Sequence, residues 1–362
     1  MAQIQSLLIY PIKSCAEQSV SEAVVTPRGF FGDRAFQITH AMESRYLTPR
    51  EAGCESLFFV EPTLSEDHSH LTLRLRGGGA SPLTLDIKNK LRQPRSTDVV
   101  MTTTLGVPRP NDNKEPLVDL GDTAAKWLSQ VLPAVQGGCR LSGIGATGYR
   151  RMVVENWKQG EKVEGAWPVS LADEAPFLLC SEASLRDLNR RLQTRRKKCV
   201  DMRRFRPNIV VDDIGGAAPL EPFEEDTWKK IRIGGASGSR SVDFLVWQRC
   251  SRCVMTTIDR DSLEKSSEPL DTLSLYRERA HGCRNFGVHL IPIPSSCGKQ
   301  CDPMEEIGKL TLCGRLQVLE YDEGRRLEWS LARKELQLKE RNKWLLASFM
   351  VALLSVIAWS LL

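Results

Sequence analysis

Cys250-Ser251-Arg252-Cys253 runs directly into the apolar, β-branched stretch Val254-Met255-Thr256-Thr257-Ile258-Asp259. This seats a thiol beside a guanidinium at the mouth of what reads as a strand. Cysteine binds metals as the thiolate, and a neighbouring arginine favours that anion, so Cys253 is a candidate soft metal ligand. Spacing alone leaves other chemistries open. Cys250-x2-Cys253 with Cys297-x3-Cys301 offers two halves of a zinc site, the first pair alone suits a redox dithiol, and a buried structural thiol is a further reading.

The elements that must position these residues are mainly strands. Leu71, Leu73 and Leu75 alternate with polar residues, as do Leu83, Leu85 and Ile87, and Gly77-Gly78-Gly79 between them reads as a hairpin connection. A helix is expected over Thr123–Leu132, capped by Asp122 or Thr123, with Ala124, Leu128, Val131 and Leu132 on one face. Residues 136–167 are Gly-rich and read as an irregular connection, which divides an N-terminal β domain (1–135) from a second domain (168–321). There a second helix starts at the cap Ser181 and carries Leu185, Leu188 and Leu192 as its stripe. Strands are expected at Asn208–Val211, Ile231–Ile233, Val242–Trp247, Val254–Ile258 and Leu310–Val318. The charged residues 322–343 read as a helical stalk.

Composition bounds the function. Of the 362 residues, 41% are apolar and 26% charged, which excludes general disorder, and a net charge of +5 is too small to argue for nucleic acid. Eleven cysteines without a disulfide-framework spacing fit a reducing compartment. Strand-like residues begin at Ile4, leaving no room for a signal peptide. Residues 344–362 carry no charge. As a helix they would span roughly 28 Å, close to the hydrocarbon core of a bilayer. Trp344 and Trp359 suit the two interfaces, and Arg341 and Lys343 place the preceding side in the cytosol. The expectation is a C-terminal transmembrane tail anchor. Basic residues crowd between Arg190 and Arg206, a pattern that fits a solvated helix end, a docking face for an acidic redox partner or a nucleic-acid patch.

Four motifs in register add a resemblance. Tyr10-Pro11-Ile12-Lys13-Ser14-Cys15, Gly32-Asp33-Arg34, Arg204-Phe205-Arg206-Pro207-Asn208-Ile209-Val210 and the Cys253 run, supported by Leu47-Thr48-Pro49-Arg50-Glu51 and Ala175-Pro176-Phe177-Leu178-Leu179, together resemble the MOSC family over about residues 1 to 321. The likeness is greatest to the mitochondrial amidoxime-reducing components and their bacterial relatives. It implies an α+β, mainly β fold in which a MOSC N-terminal β domain joins a MOSC β-barrel, with a molybdenum-molybdopterin cofactor between them. It implies Cys253 as the molybdenum ligand, and Lys13, Ser14, Arg34, Arg206, Asn208, Ser251 and Arg252 as cofactor contacts; it assigns Cys250 no role, and that thiol reads as structural. It further implies reduction of N-hydroxylated compounds with electrons from cytochrome b5 and its NADH-dependent reductase, since the chain shows no dinucleotide or haem fingerprint of its own. The family places such proteins at the mitochondrial outer membrane, with the endoplasmic reticulum also open.

Three positions depart from the family pattern. Glu174 and Ala175 replace small hydroxyl residues, His289 stands where an aromatic or amide residue is usual and becomes a candidate proton donor, and Asp259-Arg260-Asp261-Ser262-Leu263 lacks a glycine. Two alternatives remain: the sulfur-handling MOSC domain of a molybdenum cofactor sulfurase, against which stands the missing pyridoxal-phosphate domain ahead of the β domain, and a membrane-tethered carrier of the cofactor without catalysis.

Overall fold

A computed structural model describes residues 2–103, 115–145, 150–153, 166–215, 219–234, 240–277, 284–294 and 302–334. Seven strands close a barrel: β1 (Ala2–Ile9), β2 (Phe177–Ser181), β3 (Ile209–Asp213), β4 (Trp228–Ile233), β5 (Val242–Ser251), β6 (Asn285–Ile293) and β7 (Arg315–Tyr321). The ring order is β3-β2-β6-β5-β4-β7-β1, and β1 returns to pair with β3. Closure satisfies every strand edge within the ring. The cause is visible in the side chains: Val242, Phe244 and Val246 alternate inward on β5, and Phe177 meets Phe244 edge-on at 5.4 Å. Gly287 on β6 has φ 77°, and a Cβ there would stand 2.5 Å from Cys180 Sγ and 2.7 Å from Leu179 O, so only glycine lets β6 close on β2.

Residues 2–9 thus belong to the barrel that the sequence reading gave to 168–321. In the other direction, Gly308–Thr311 pairs with Glu22–Thr26, which pairs with Gly29–Phe30. The two halves are interlocked, and a single apolar cluster runs from Phe36 and Leu128 to Phe177, Phe244 and Val288.

The hairpin expected around Gly77–Gly79 is present, with His70–Leu75 paired to Leu83–Asp86 and, on its other side, to Val60–Leu64. Helix α1 (Asp122–Val131) buries Ala124, Leu128 and Val131. Its cap is Gly121 at φ 93°, not Asp122 or Thr123, and Asp119 Oδ1 accepts from the Gly121 N–H (2.6 Å). Helix α2 (Glu182–Thr194) follows the expectation: the Ser181 hydroxyl accepts from the Ala183 N–H (3.1 Å), and Leu185, Leu188 and Leu192 are buried.

Other expectations change. Within 136–167, Cys139–Gly143 is a strand between Phe36–His40 and Glu115–Asp119, and Arg150–Val153 pairs with Ala166–Val169. Val254–Thr257 is a tight 3-10 turn, because the Thr256 and Thr257 hydroxyls donate back to Cys253 O (2.9 Å) and Val254 O (2.7 Å). Leu310–Val318 is two strands broken at Cys313, whose φ is 62°. The start of the expected stalk is helical over 323–334 and lies on the barrel: Glu328 pairs with Arg249 (2.7 Å), Arg333 with Glu221 (2.6 Å), and Trp329 Nε1 donates to Pro222 O (3.1 Å). No helix among the described residues is long and apolar enough to cross a membrane, and the expected span 344–362 lies outside them.

Candidate functional site

The strand ends assemble one cavity of about 190 Å³, whose wall includes Lys13, Ser14, Arg34, Arg206, Asn208, Ser251, Arg252, Cys253 and His289. Every site residue anticipated from sequence therefore lines the same space, although up to two hundred and more positions separate them in the chain.

Lys13 and Ser14 follow β1 at a turn stapled to the neighbouring strand by Lys13 N–H to Phe36 O (2.8 Å) and Phe36 N–H to Pro11 O (3.0 Å). Lys13 pairs with Asp173 (2.5 Å) and lies over the Tyr46 ring at 4.6 Å, while the Ser14 hydroxyl bonds the Tyr46 hydroxyl. Arg34 is held by Asp33 at 2.8 and 2.7 Å, and its other terminal nitrogen donates to Arg206 O (3.0 Å). Arg206 donates to Cys15 O (2.7 Å). The guanidinium groups of Arg34 and Arg206 each lie 4.2 Å from the Tyr10 ring centre.

Ser14, Arg34 and Arg206 all have left-handed backbones, at φ 68°, 47° and 57°. Residues before proline favour an extended backbone, but Arg206 closes the 3-10 turn Met202–Phe205 through its N–H to Arg203 O (3.2 Å). Non-glycine residues in this region carry strain of order 1–3 kcal/mol each, which collects at binding sites.

Asn208 lines the cavity, but its side chain works on the barrel. Its Oδ1 accepts from Leu178 N–H and its Nδ2 donates to Leu8 O, both at 3.2 Å, which ties β1 to β2. Both polar atoms bond the backbone, so Asn208 fixes the strand ends that carry the cavity wall.

The cysteines pair differently from the sequence reading. Arg252 donates to Cys250 Sγ (2.6 Å) and to Phe205 O (2.5 Å), whereas the guanidinium on Cys253 Sγ is that of Arg50 (3.2 Å). Beyond β5 the backbone is extended at Cys253, at φ −108° and ψ 177°. Cys250 is buried and Cys253 exposed. The two thiols thus meet different guanidinium groups. No cluster of three or more His, Cys, Asp or Glu able to hold a metal occurs among the described residues, and Cys297 and Cys301 lie outside them.

Nor is Cys250 an inert core thiol. Burial opposes its ionisation, but Arg252 and then His289 outweigh burial and hold the thiol below its ordinary value. His289 in turn lies 3.1 Å from a Glu174 carboxylate oxygen. Burial works against the charged imidazole, and the Cys250 and Glu174 charges overcome it, pushing His289 up to about 10. Glu174, which as an isolated acid would repel an anionic ligand, is thereby compensated, and Gln248 Nε2 reaches it at 3.4 Å.

Arg50 is the functional side chain that received no role from sequence, although its motif Leu47-Thr48-Pro49-Arg50-Glu51 carried part of the resemblance. The basic run resolves into internal pairs. Arg190 and Arg191 share Asp187 (2.7 and 2.6 Å), Arg195 reaches Glu268 (3.4 Å), Lys198 and Arg204 share Asp259 (3.4 and 2.6 Å), and Arg203 bridges Asp201 and Asp261 (2.7 and 2.9 Å). Arg196 and Lys197 remain exposed without an ion pair among the described residues.

Comparison with known proteins agrees with this geometry. Residues 1–134 match the MOSC N-terminal beta barrel domain and residues 167–303 the MOSC domain. A rat (Rattus norvegicus) mitochondrial amidoxime reducing component 2 is 34% identical over 284 residues, covering 76% of this chain and 72% of the relative. A mouse (Mus musculus) mitochondrial amidoxime-reducing component 1 is 30% identical over 325 residues, covering 88% and 78%. A zebrafish (Danio rerio) molybdenum cofactor sulfurase is 28% identical over 302 residues, covering 79% of this chain but 31% of the relative. On both domain matches and on these relatives, the chain belongs to the MOSC-domain family.

Proposed function

We propose that the protein is a molybdenum cofactor-dependent reductase of N-hydroxylated compounds, amidoximes among them, fed by an external cytochrome b5 and its NADH-dependent reductase. The observation that carries this reading is the free Cys253 thiol, met by Arg50, at a cavity walled by Lys13, Arg34, Arg206 and Arg252. A soft metal on a phosphate-bearing pterin needs one thiolate and an array of cations and donors. The donor set fits. Arg206 has a backbone carbonyl but no carboxylate in ion-pair range among the described residues, and the Nε of Arg252 is buried without a hydrogen-bond partner. The cavity is smaller than the ~300–1,000 Å³ of enclosing ligand pockets. A pterin would accordingly lie partly outside it.

In this reading Cys253 holds the metal and Arg50 fixes the thiolate's direction. Lys13, Ser14, Arg34 and Arg206 orient the phosphate and pterin, and Ser251 and Arg252 close the far side. The cofactor supplies two-electron oxygen-atom transfer when bound. His289 holds a proton at the cavity wall for the departing oxygen. Residues 344–362 would anchor the folded part on the cytosolic face of a membrane, the mitochondrial outer membrane before the endoplasmic reticulum.

Metal analysis and turnover of the purified full-length protein test the proposal together. Molybdenum with pterin, and amidoxime reduction by cytochrome b5 or a reduced viologen dye, are expected. Zinc in place of molybdenum overturns it, and molybdenum without turnover from either donor points to a carrier.

A further inference from the structure

The two positions that break the family pattern in sequence, Glu174 and His289, meet in space. The His289 side chain lies on β6 and is 9% exposed, while the Glu174 side chain is 48% exposed at the cavity mouth, 3.1 Å away. Cys250 of β5, 6% exposed and fixed by Arg252 at 2.6 Å, lines the same cavity as His289 and Glu174. Neither ring nitrogen of His289 makes a well-aligned hydrogen bond among the described residues, yet the residue lines the cavity. A buried donor without a settled partner, facing a ligand space, is poised to bond what enters it.

We propose that Cys250, His289 and Glu174 form a proton relay, in which the buried thiolate keeps the imidazole protonated and the solvent-facing carboxylate reloads it. The titratable and charged groups around His289 fit this. From β5 comes Cys250 and from just beyond its end Arg252, from the segment before β2 come Asp173 and Glu174, and Cys180 of β2 lies near Arg252. The formal charges of Cys250, Arg252, His289 and Glu174 sum to zero, so the buried part is compensated. The raised proton affinity of His289 supports the same arrangement.

Its use rests on the reductase reading. Reducing R–NH–OH breaks the N–O bond, takes two electrons from the external donor and two protons, and yields R–NH2 and water. The relay delivers a proton to the leaving oxygen, His289 becomes neutral, and Glu174 passes it a proton from solvent. Cys250 stays a thiolate and acts as a positioning residue.

Two titrations on the full-length protein test the pair without turnover. The Cys250 thiolate is followed by its ultraviolet absorbance against Cys250→Ser, and His289 by NMR of labelled histidine. Cys250→Ser is expected to lower the His289 midpoint by roughly two pH units, since an opposite charge at contact shifts a buried group by about that much. The alkaline limb of the kcat profile should move with it. Glu174→Gln, at the exposed end, should reduce kcat about tenfold at unchanged KM and be rescued by a small buffer acid. An unshifted His289 midpoint in Cys250→Ser overturns the relay even in an active enzyme, as does a Glu174→Gln loss that no buffer relieves. A protein that turns over no N-hydroxylated compound defeats the reductase reading while the titrations still decide the charged pair.

Discussion

Replacing Glu225 with Gln should change how stability depends on pH. Glu225 is fully buried, its Oε1 accepts from the Ser184 hydroxyl (2.7 Å), and its Oε2 has no hydrogen-bond partner. Burial first, and then the adjacent Asp226 charge, push its carboxyl up to about 8. Between the ordinary value of 4.5 and about 8 the folded protein keeps a proton that the unfolded chain releases. Stability is therefore lost as pH rises through that window, by at most about 1.4 kcal/mol per pH unit, or roughly 3 kcal/mol by pH 7. Glu225→Gln keeps the acceptor for Ser184 and cannot titrate. Urea unfolding followed by tryptophan fluorescence at pH 5, 6, 7 and 8 should find the two proteins similar at pH 5 and the variant increasingly more stable above it. Parallel stabilities across the series would mean that the fold holds an ionised carboxylate, and the reasoning from burial would fail.

Cys253→Ser should abolish turnover and metal binding, while Arg50→Met should weaken molybdenum retention about tenfold, the scale expected when a partner that orients a ligand is lost; metal content after dialysis measures both. Asn208→Ala removes two buried side-chain to backbone hydrogen bonds and should cost about 2–3 kcal/mol in urea unfolding. Reversing charge at Arg196 and Lys197 should slow reduction by cytochrome b5 but not by a viologen dye, with an effect that shrinks as salt rises; equal losses with both donors would reject docking at this face.

Local signals were legible where they act locally. Ser181 and the Leu185, Leu188 and Leu192 stripe specify α2 through a cap and a period, and alternation around Gly77–Gly79 specifies a hairpin. That the candidate site residues share one cavity follows from short motifs at strand ends, which closing the barrel brings together. Pairing across the chain was hidden. Arg50 and Cys253 are 203 positions apart, and the adjacency of Arg252 to Cys253 suggested a contact that an extended backbone turns towards Cys250 instead. Val254–Thr257 has strand composition, but two threonine hydroxyls bond their own backbone and coil it. The glycine absent from Asp259–Leu263 reappears as strain, with Leu263 at φ 60°. Likewise the basic run gave no hint of the carboxylates on other elements that neutralise it.

The place of β1 between β3 and β7 bears on how the protein is made. Strand β1 waits for a partner that begins at Ile209 and for another that begins at Arg315, so the ring cannot close until synthesis has passed β7. Contacts so distant in sequence make folding slow, because loop closure must precede the gain from pairing. Lys13 and Ser14, which follow β1 directly, reach their final positions only at that late step. A cofactor gripped by them would enter a closed ring and, once inside, would join the end of β1 to β5 and β6 as a clasp.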